Sequence, residues 1–162
     1  MEDLFEDLVE KIRVHGHAVV AAFADPEEGA PGFSYTIGLS KDGVLPELLI
    51  FGIDPQSSHV ILNDMASRLK TVGRPEDGAK LERIANLPLL VRQVPGEVAG
   101  HYARFVCSLL GNETPDVMQV VWPDPRGRFP GERGYDRFYD QAVGEQDQLV
   151  SRKEKAARRP PA

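Results

Sequence analysis

The sequence predicts an α+β domain with a largely antiparallel central sheet of about five strands, packed by three to four helices. Three observations carry this expectation. Strand-like segments joined by short links cluster early in the chain, helical and strand patterns mix later, and 162 residues suit one domain of ordinary size. Residues 1–150 are expected to form that domain, with 151–162 as a basic tail.

The elements follow in order. Residues 2–14 read as an amphipathic helix, with Leu4, Phe5, Leu8 and Ile12 at helical spacing and Glu6, Asp7, Glu10 and Lys11 opposite. Glu2 and Asp3 suit its positive N-terminal end, and Gly16, between His15 and His17, suits a left-handed cap. Residues 17–24 are apolar on both faces, which suggests a central or well-covered strand. Residues 25–32 hold two prolines and two glycines and read as a loop. In the next strand, 33–39, Phe33, Tyr35, Ile37 and Leu39 alternate with Ser34 and Thr36, and residues 47–53 form a third strand of the same meander.

Asp54-Pro55 is a helix start, an acceptor side chain before a proline at the first helical position. That helix is expected to reach about residue 69 and to bury Val60, Ile61, Met65 and Leu69. Residues 80–85 fit a strand or a short helix, 89–94 a strand, 97–110 a helix and 117–122 a last strand. Residues 122–134 read as loop, and 135–150 as a final helix.

Charge and motifs exclude more than they identify. The net charge is −6, but 151–162 carry five basic residues against Glu154 alone, which leaves −10 on the preceding chain. Such an acidic body argues against nucleic-acid partners, and the tail reads as a solvated terminus. The longest apolar run spans seven residues, far below the roughly 20 that cross a bilayer. With a Met-Glu-Asp start and one cysteine, Cys107, the expectation is a cytoplasmic protein without membrane association. A phosphate-loop motif, a dinucleotide fingerprint and a serine-nucleophile motif are all missing.

Three segments, Phe33-Ser34-Tyr35-Thr36-Ile37-Gly38-Leu39, Pro46-Glu47-Leu48-Leu49-Ile50-Phe51-Gly52 and Val120-Val121-Trp122-Pro123-Asp124 followed by Gly127-Arg128-Phe129-Pro130, resemble the bacterial domain of unknown function 4262 family. The resemblance takes in Leu62-Asn63-Asp64 and covers about residues 16–134. Gly131 stands where that family usually has tryptophan, which implies a more open version of any pocket the ring covers. No activity or cofactor comes with the resemblance.

The residues suggest two functions. The first is an accessory module that binds a small anionic ligand or a protein partner through the 122–134 loop and the 33–39 strand, with Tyr35, Thr36, Trp122, Asp124 and Arg128 as contacts. An arginine fork suits carboxylate or phosphate, with Arg126 a less confined alternative. The bland reading is that Asp124 accepts turn N–H bonds and pairs with Arg128, while Tyr35 is a core residue with a satisfied hydroxyl. The second is a small metal-independent hydrolase or isomerase with Tyr35, His101, Asp124 and Arg128 in one cleft. No metal site is expected. The histidine set that would make one is His15 and His17 with His59 or His101, completed by Glu47 or Asp64. A homodimer through the first helix is a further expectation.

Overall fold

A computed structural model describes residues 2–22, 32–84, 87–111 and 114–139. Its elements are α1 (Glu2–His15), β1 (Ala18–Ala22), β2 (Phe33–Ile37), β3 (Glu47–Phe51), α2 (Pro55–Val72), β4 (Lys80–Ile84), β5 (Leu87–Val94), α3 (Gly96–Tyr102), α4 (Arg104–Leu110) and β6 (Val117–Val121), followed by a 3-10 turn over Arg137–Tyr139. The sheet has six strands in the order β1-β2-β3-β6-β5-β4. All pairs are antiparallel except β3 and β6, which run parallel at the centre. The fold is α+β. The sixth strand is β4, from the segment that suits either strand or helix.

Both central strands are buried along their whole length, as their unbroken apolar runs require. Leu49, Phe51 and Val117 face one core with Leu8 of α1 and with Ala99, Ala103 and Val106 of the α3–α4 region. Leu48, Ile50, Met118 and Val120 face the other, filled by Ile61, Leu62, Met65, Ala66 and Leu69 of α2. Among the described residues no helix is long and apolar enough to cross a membrane.

Several expectations need correction. Of the two readings of 17–24, the well-covered strand is the one found and the central strand is not: β1 lies at the sheet edge with α1 and α2 against its two faces. The helix expected over 97–110 breaks at Ala103, whose ψ of 58° leaves the helical region and starts α4 on a new axis. On α2 the buried stripe includes Leu62 and Ala66, whereas Val60 is exposed. Leu4 of α1 is exposed as well. Leu39 joins the α2 core, opposite the face of Phe33, Tyr35 and Ile37, because Gly38 at φ 115° breaks the strand alternation. Of the final helix, only the 3-10 turn falls within the described residues; 140–150, the tail and most of the 25–32 loop lie outside them.

The β2–β3 connection is organised by one carboxylate. Glu47 is fully buried and accepts five hydrogen bonds: from the Thr36 hydroxyl (2.8 Å), the backbone N–H groups of Gly38 (3.0 Å), Leu39 (3.1 Å) and Ser40 (2.9 Å), and the Ser40 hydroxyl (2.6 Å). Burial pushes its pKa up, and the donors act against that rise. Thr36 Oγ1 also accepts the Leu48 N–H at 2.8 Å, so it continues the strand pairing with its side chain. An amide at position 47 would turn one donor group toward N–H groups that can only donate. Glu47→Gln is therefore expected to cost roughly 2–3 kcal/mol, or about 5–10 °C in melting temperature. An unchanged melt would show that the five donors find other acceptors.

Candidate functional site

The residues singled out by sequence are placed by three separate parts of the fold. Tyr35 lies on the face of β2 that packs under the α3–α4 region, 3% exposed, and its hydroxyl oxygen accepts the Phe105 N–H at 3.3 Å. Burial pushes its pKa up to about 12. Thr36, the next residue, points the other way and belongs to the Glu47 cage. His101 is exposed at the end of α3, edge-on to Tyr102.

The 122–134 loop is tied down from within. Asp124, 3% exposed, accepts the N–H groups of Arg126 (2.9 Å) and Arg128 (2.8 Å) on one oxygen and that of Asp136 (3.1 Å) on the other. Arg128 Nε lies 3.4 Å from the second oxygen. Burial alone would raise the Asp124 pKa; the backbone donors and Arg128 override it and hold the carboxyl below its usual range. Trp122 donates from Nε1 to the Phe51 carbonyl at 2.8 Å and meets the Tyr139 ring edge-on. Lys80 of β4 bonds Glu132 at 3.2 Å and sits 5.3 Å from the Phe129 ring centroid. Gly131 has open space at its Cβ position but a φ of 93°, so a side chain there would have room and a strained backbone. Among the described residues no hydrogen bond, ion pair or ring contact joins any two of Tyr35, His101 and Asp124. Asp124 spends its acceptor capacity on the loop itself.

The structure instead gathers polar side chains at the other end of the sheet. A pocket of about 500 Å³ opens between α1, β1 and α2, lined by Lys11, His15, His17, Ala18, Val19, His59, Asn63, Ser67 and Lys70. Positions 59, 63, 67 and 70 recur at helical spacing, one polar stripe beside the buried face of α2. His15 closes α1, and Gly16, at φ 85° with its N–H on the Ile12 carbonyl (2.8 Å), turns the chain into His17. Gly38 permits that turn to sit close: a Cβ there would lie 2.9 Å from the Gly16 carbonyl oxygen and 3.1 Å from His17 Cα.

Within the pocket, Lys70 Nζ donates to the His15 carbonyl at 2.9 Å and contacts His17 Nδ1 at 2.8 Å. An ammonium group has no lone pair, so Nδ1 accepts and the imidazole proton sits on Nε2. Nε2 in turn donates to Asn63 Oδ1 at 2.8 Å. Burial lowers the His17 pKa, the Asn63 acceptor works against this, and the charges of Lys70, His15 and His59 lower it further. Lys70 is itself lowered, by burial and then by Lys41. Of the histidines weighed as metal ligands, His15, His17 and His59 share this pocket and His101 does not. Both ring nitrogens of His17 are already engaged, and Glu47 is enclosed by its own donors. Among the described residues no group of three or more His, Cys, Asp or Glu side chains is placed to hold a metal ion.

A second hollow, about 330 Å³, lies at the start of β2 among Phe33, Gly52, Ile53 and Pro55. Its one charged lining residue among the described residues is Asp54, the cap of α2, which accepts the Ser57 N–H at 2.9 Å. It offers no cation to an anionic ligand.

Comparison with family models matches residues 11–136 to the family described as "Domain of unknown function (DUF4262)". Comparison with the curated proteins and with the solved structures found no match.

Two outcomes follow from this geometry. Asp124→Ala is expected to raise amide hydrogen exchange across 124–136 and leave the sheet protected, read by exchange mass spectrometry; unchanged loop protection would show that other contacts hold it. For His17, the unfolded chain takes up a proton near the ordinary value of about 6.5, the folded chain only at lower pH. Below about 6.5 the unfolded state thus binds more protons, and stability falls as the solution is acidified. Thermal melts between pH 7 and pH 5 should show that loss, and His17→Gln should flatten it. An equal slope in the variant would assign the effect to other groups.

Proposed function

The chain belongs to the DUF4262 family, and because that family's description assigns no function, we propose one from the geometry: a binding module for a small anion, seated in the pocket between α1, β1 and α2. One observation carries the proposal. Among the described residues, the pocket presents two lysines and three histidines and no carboxylate, in a chain whose net charge is −6. A local field opposite in sign to the molecule as a whole concentrates counter-charged ligands where it lies. Lys11 is exposed and is shared with Asp7 at 3.0 Å. Lys70, held by two acceptors, is the most fixed.

The 122–134 loop and the 33–39 strand serve this reading as scaffold. Tyr35, Trp122 and Asp124 each direct their polar atoms at backbone groups of the chain. A hydrolase or isomerase built on Tyr35, His101, Asp124 and Arg128 gains no support from this arrangement, since among the described residues no contact joins Tyr35, His101 and Asp124 and Asp124 is spent on backbone N–H groups.

Titration with sulfate, phosphate and acetate, followed by backbone amide NMR shifts, tests the proposal. Saturable shifts are expected at residues 11–19 and 59–70, weakened about tenfold or more by Lys70→Gln, by loss of one close charge-assisted contact. Lys11→Gln, on an exposed side chain that holds no core contact, should weaken binding with little effect on the melt. Arg128→Gln should leave binding unchanged. No saturable shift, or shifts confined to 122–134, would overturn it.

A further inference from the structure

We infer that the ligand of this pocket carries a phosphoryl group, and that His17 is a positioning residue whose hydrogen-bond relay turns the Asn63 amide toward it. The inference rests on the anion-binding reading above and adds the chemical class of the anion.

The relay determines what the pocket can offer. Lys70 has three hydrogens and no acceptor; two go to the His15 carbonyl and His17 Nδ1, which leaves one for the pocket. His17 passes the direction on, because with Nδ1 accepting, Nε2 must donate, and it donates to Asn63 Oδ1. An oxygen on that side of Asn63 places its NH2 group on the other. Those two N–H groups have no partner among the described residues, and Asn63 lines the pocket. Ser67, one helical turn further along α2, adds a hydroxyl, and His15 and His59 add imidazoles that donate from a ring nitrogen. The polar wall is therefore rich in donors: the lysines and the Asn63 NH2 can only donate, and the hydroxyl and imidazoles can turn a hydrogen inward.

A phosphoryl group is the complement of such a wall. It brings three acceptor oxygens and a charge near −2 at neutral pH, with its second pKa near 6. A carboxylate brings two coplanar oxygens and is best met by the planar fork of an arginine. Among the described residues arginine is missing from the lining; the fixed charges there are lysines, point charges that suit a tetrahedral oxyanion from any side. The volume of about 500 Å³ exceeds what a bare phosphate fills and lies within the range of small-molecule sites. Val19, on the α2 side of β1, supplies apolar surface for the remainder of a phosphate monoester.

The test uses the full chain, titrated separately with inorganic phosphate, glycerol 3-phosphate and acetate, together with nitrogen-15 spectra of the histidine rings. Both phosphates are expected to bind at least tenfold tighter than acetate, and His17 is expected to show an unprotonated Nδ1 and a protonated Nε2. Tighter binding of glycerol 3-phosphate than of inorganic phosphate would support a monoester as the ligand; equal or weaker binding would overturn that part. Asn63→Asp keeps an oxygen for His17 Nε2 but replaces the two donors with negative charge. It should abolish phosphate binding while His17 keeps its tautomer and the melt stays within a few degrees of the parent. His17→Gln should weaken phosphate several-fold more than acetate.

Acetate binding as tightly as phosphate would overturn the phosphoryl assignment and leave the anion pocket standing. Binding of none of the three would overturn both. A proton on His17 Nδ1, or an Asn63→Asp variant that binds phosphate normally, would overturn the relay.

Discussion

The buried carboxylate of Glu47 is the constraint on which the rest of this structure depends. Removing a carboxylate from water is costly unless its oxygens are met by donors, and here five donors from residues 36–40 meet them. To reach Glu47, the chain after β2 must fold its N–H groups inward, which requires the positive φ of Gly38. Gly38, without a Cβ, then lies against Gly16 and His17. The position of His17, and through it of Lys70 and Asn63, thus follows from a carboxylate that belongs to no site of its own. The segments Thr36-Ile37-Gly38-Leu39 and Pro46-Glu47-Leu48 are two halves of one device.

A second organising carboxylate works at the opposite end of the chain. Asp124 gathers three backbone N–H groups and Arg128, and so fixes the course of the chain after β6. Trp122 locks the start of that course to the end of β3 through the Phe51 carbonyl. Glu47 and Asp124 play the same physical part. Each is an acceptor-only group, nearly excluded from water, that satisfies a bend whose N–H groups have no strand to pair with. The unusual composition of 122–134 reflects that duty. A stretch rich in proline, arginine and acid attracts attention as a ligand site, yet Asp124 and Trp122 turn their polar atoms to the backbone, while Arg126, Glu132 and Arg133 stay exposed.

Much of the fold was legible in the chain because it is written in local chemistry. Asp54-Pro55 starts α2 with the cap on Ser57, Gly16 ends α1, and the early meander pairs as its short links require. Ambiguity or misreading arose where a local pattern has two tertiary meanings. An apolar run on both faces describes β1, covered by two helices, as well as a strand between strands. The parallel pairing of β3 with β6 joins residues about seventy positions apart and leaves no turn between them to announce it. The break at Ala103 interrupts a helical pattern that carries neither glycine nor proline there.

The sequence by itself determined the class of the fold, the end of α1 at Gly16, the start of α2 at Asp54-Pro55, and the types of side chain available for chemistry, since capping, periodicity and charge act over a few residues. Only the tertiary structure decided which of those side chains meet. His17 and Asn63 are 46 positions apart, and His17 and Lys70 are 53 apart. Their contact depends on the Gly16–Gly38 approach and on the rotation of α2 over its buried stripe, neither of which is encoded at the residues themselves. Spacing marked His15 and His17 as potential metal ligands, with His59 or His101 as a third that the fold would have to supply. Packing made one of them a link between a lysine and an amide, because a ring nitrogen takes its role from the partner the fold supplies.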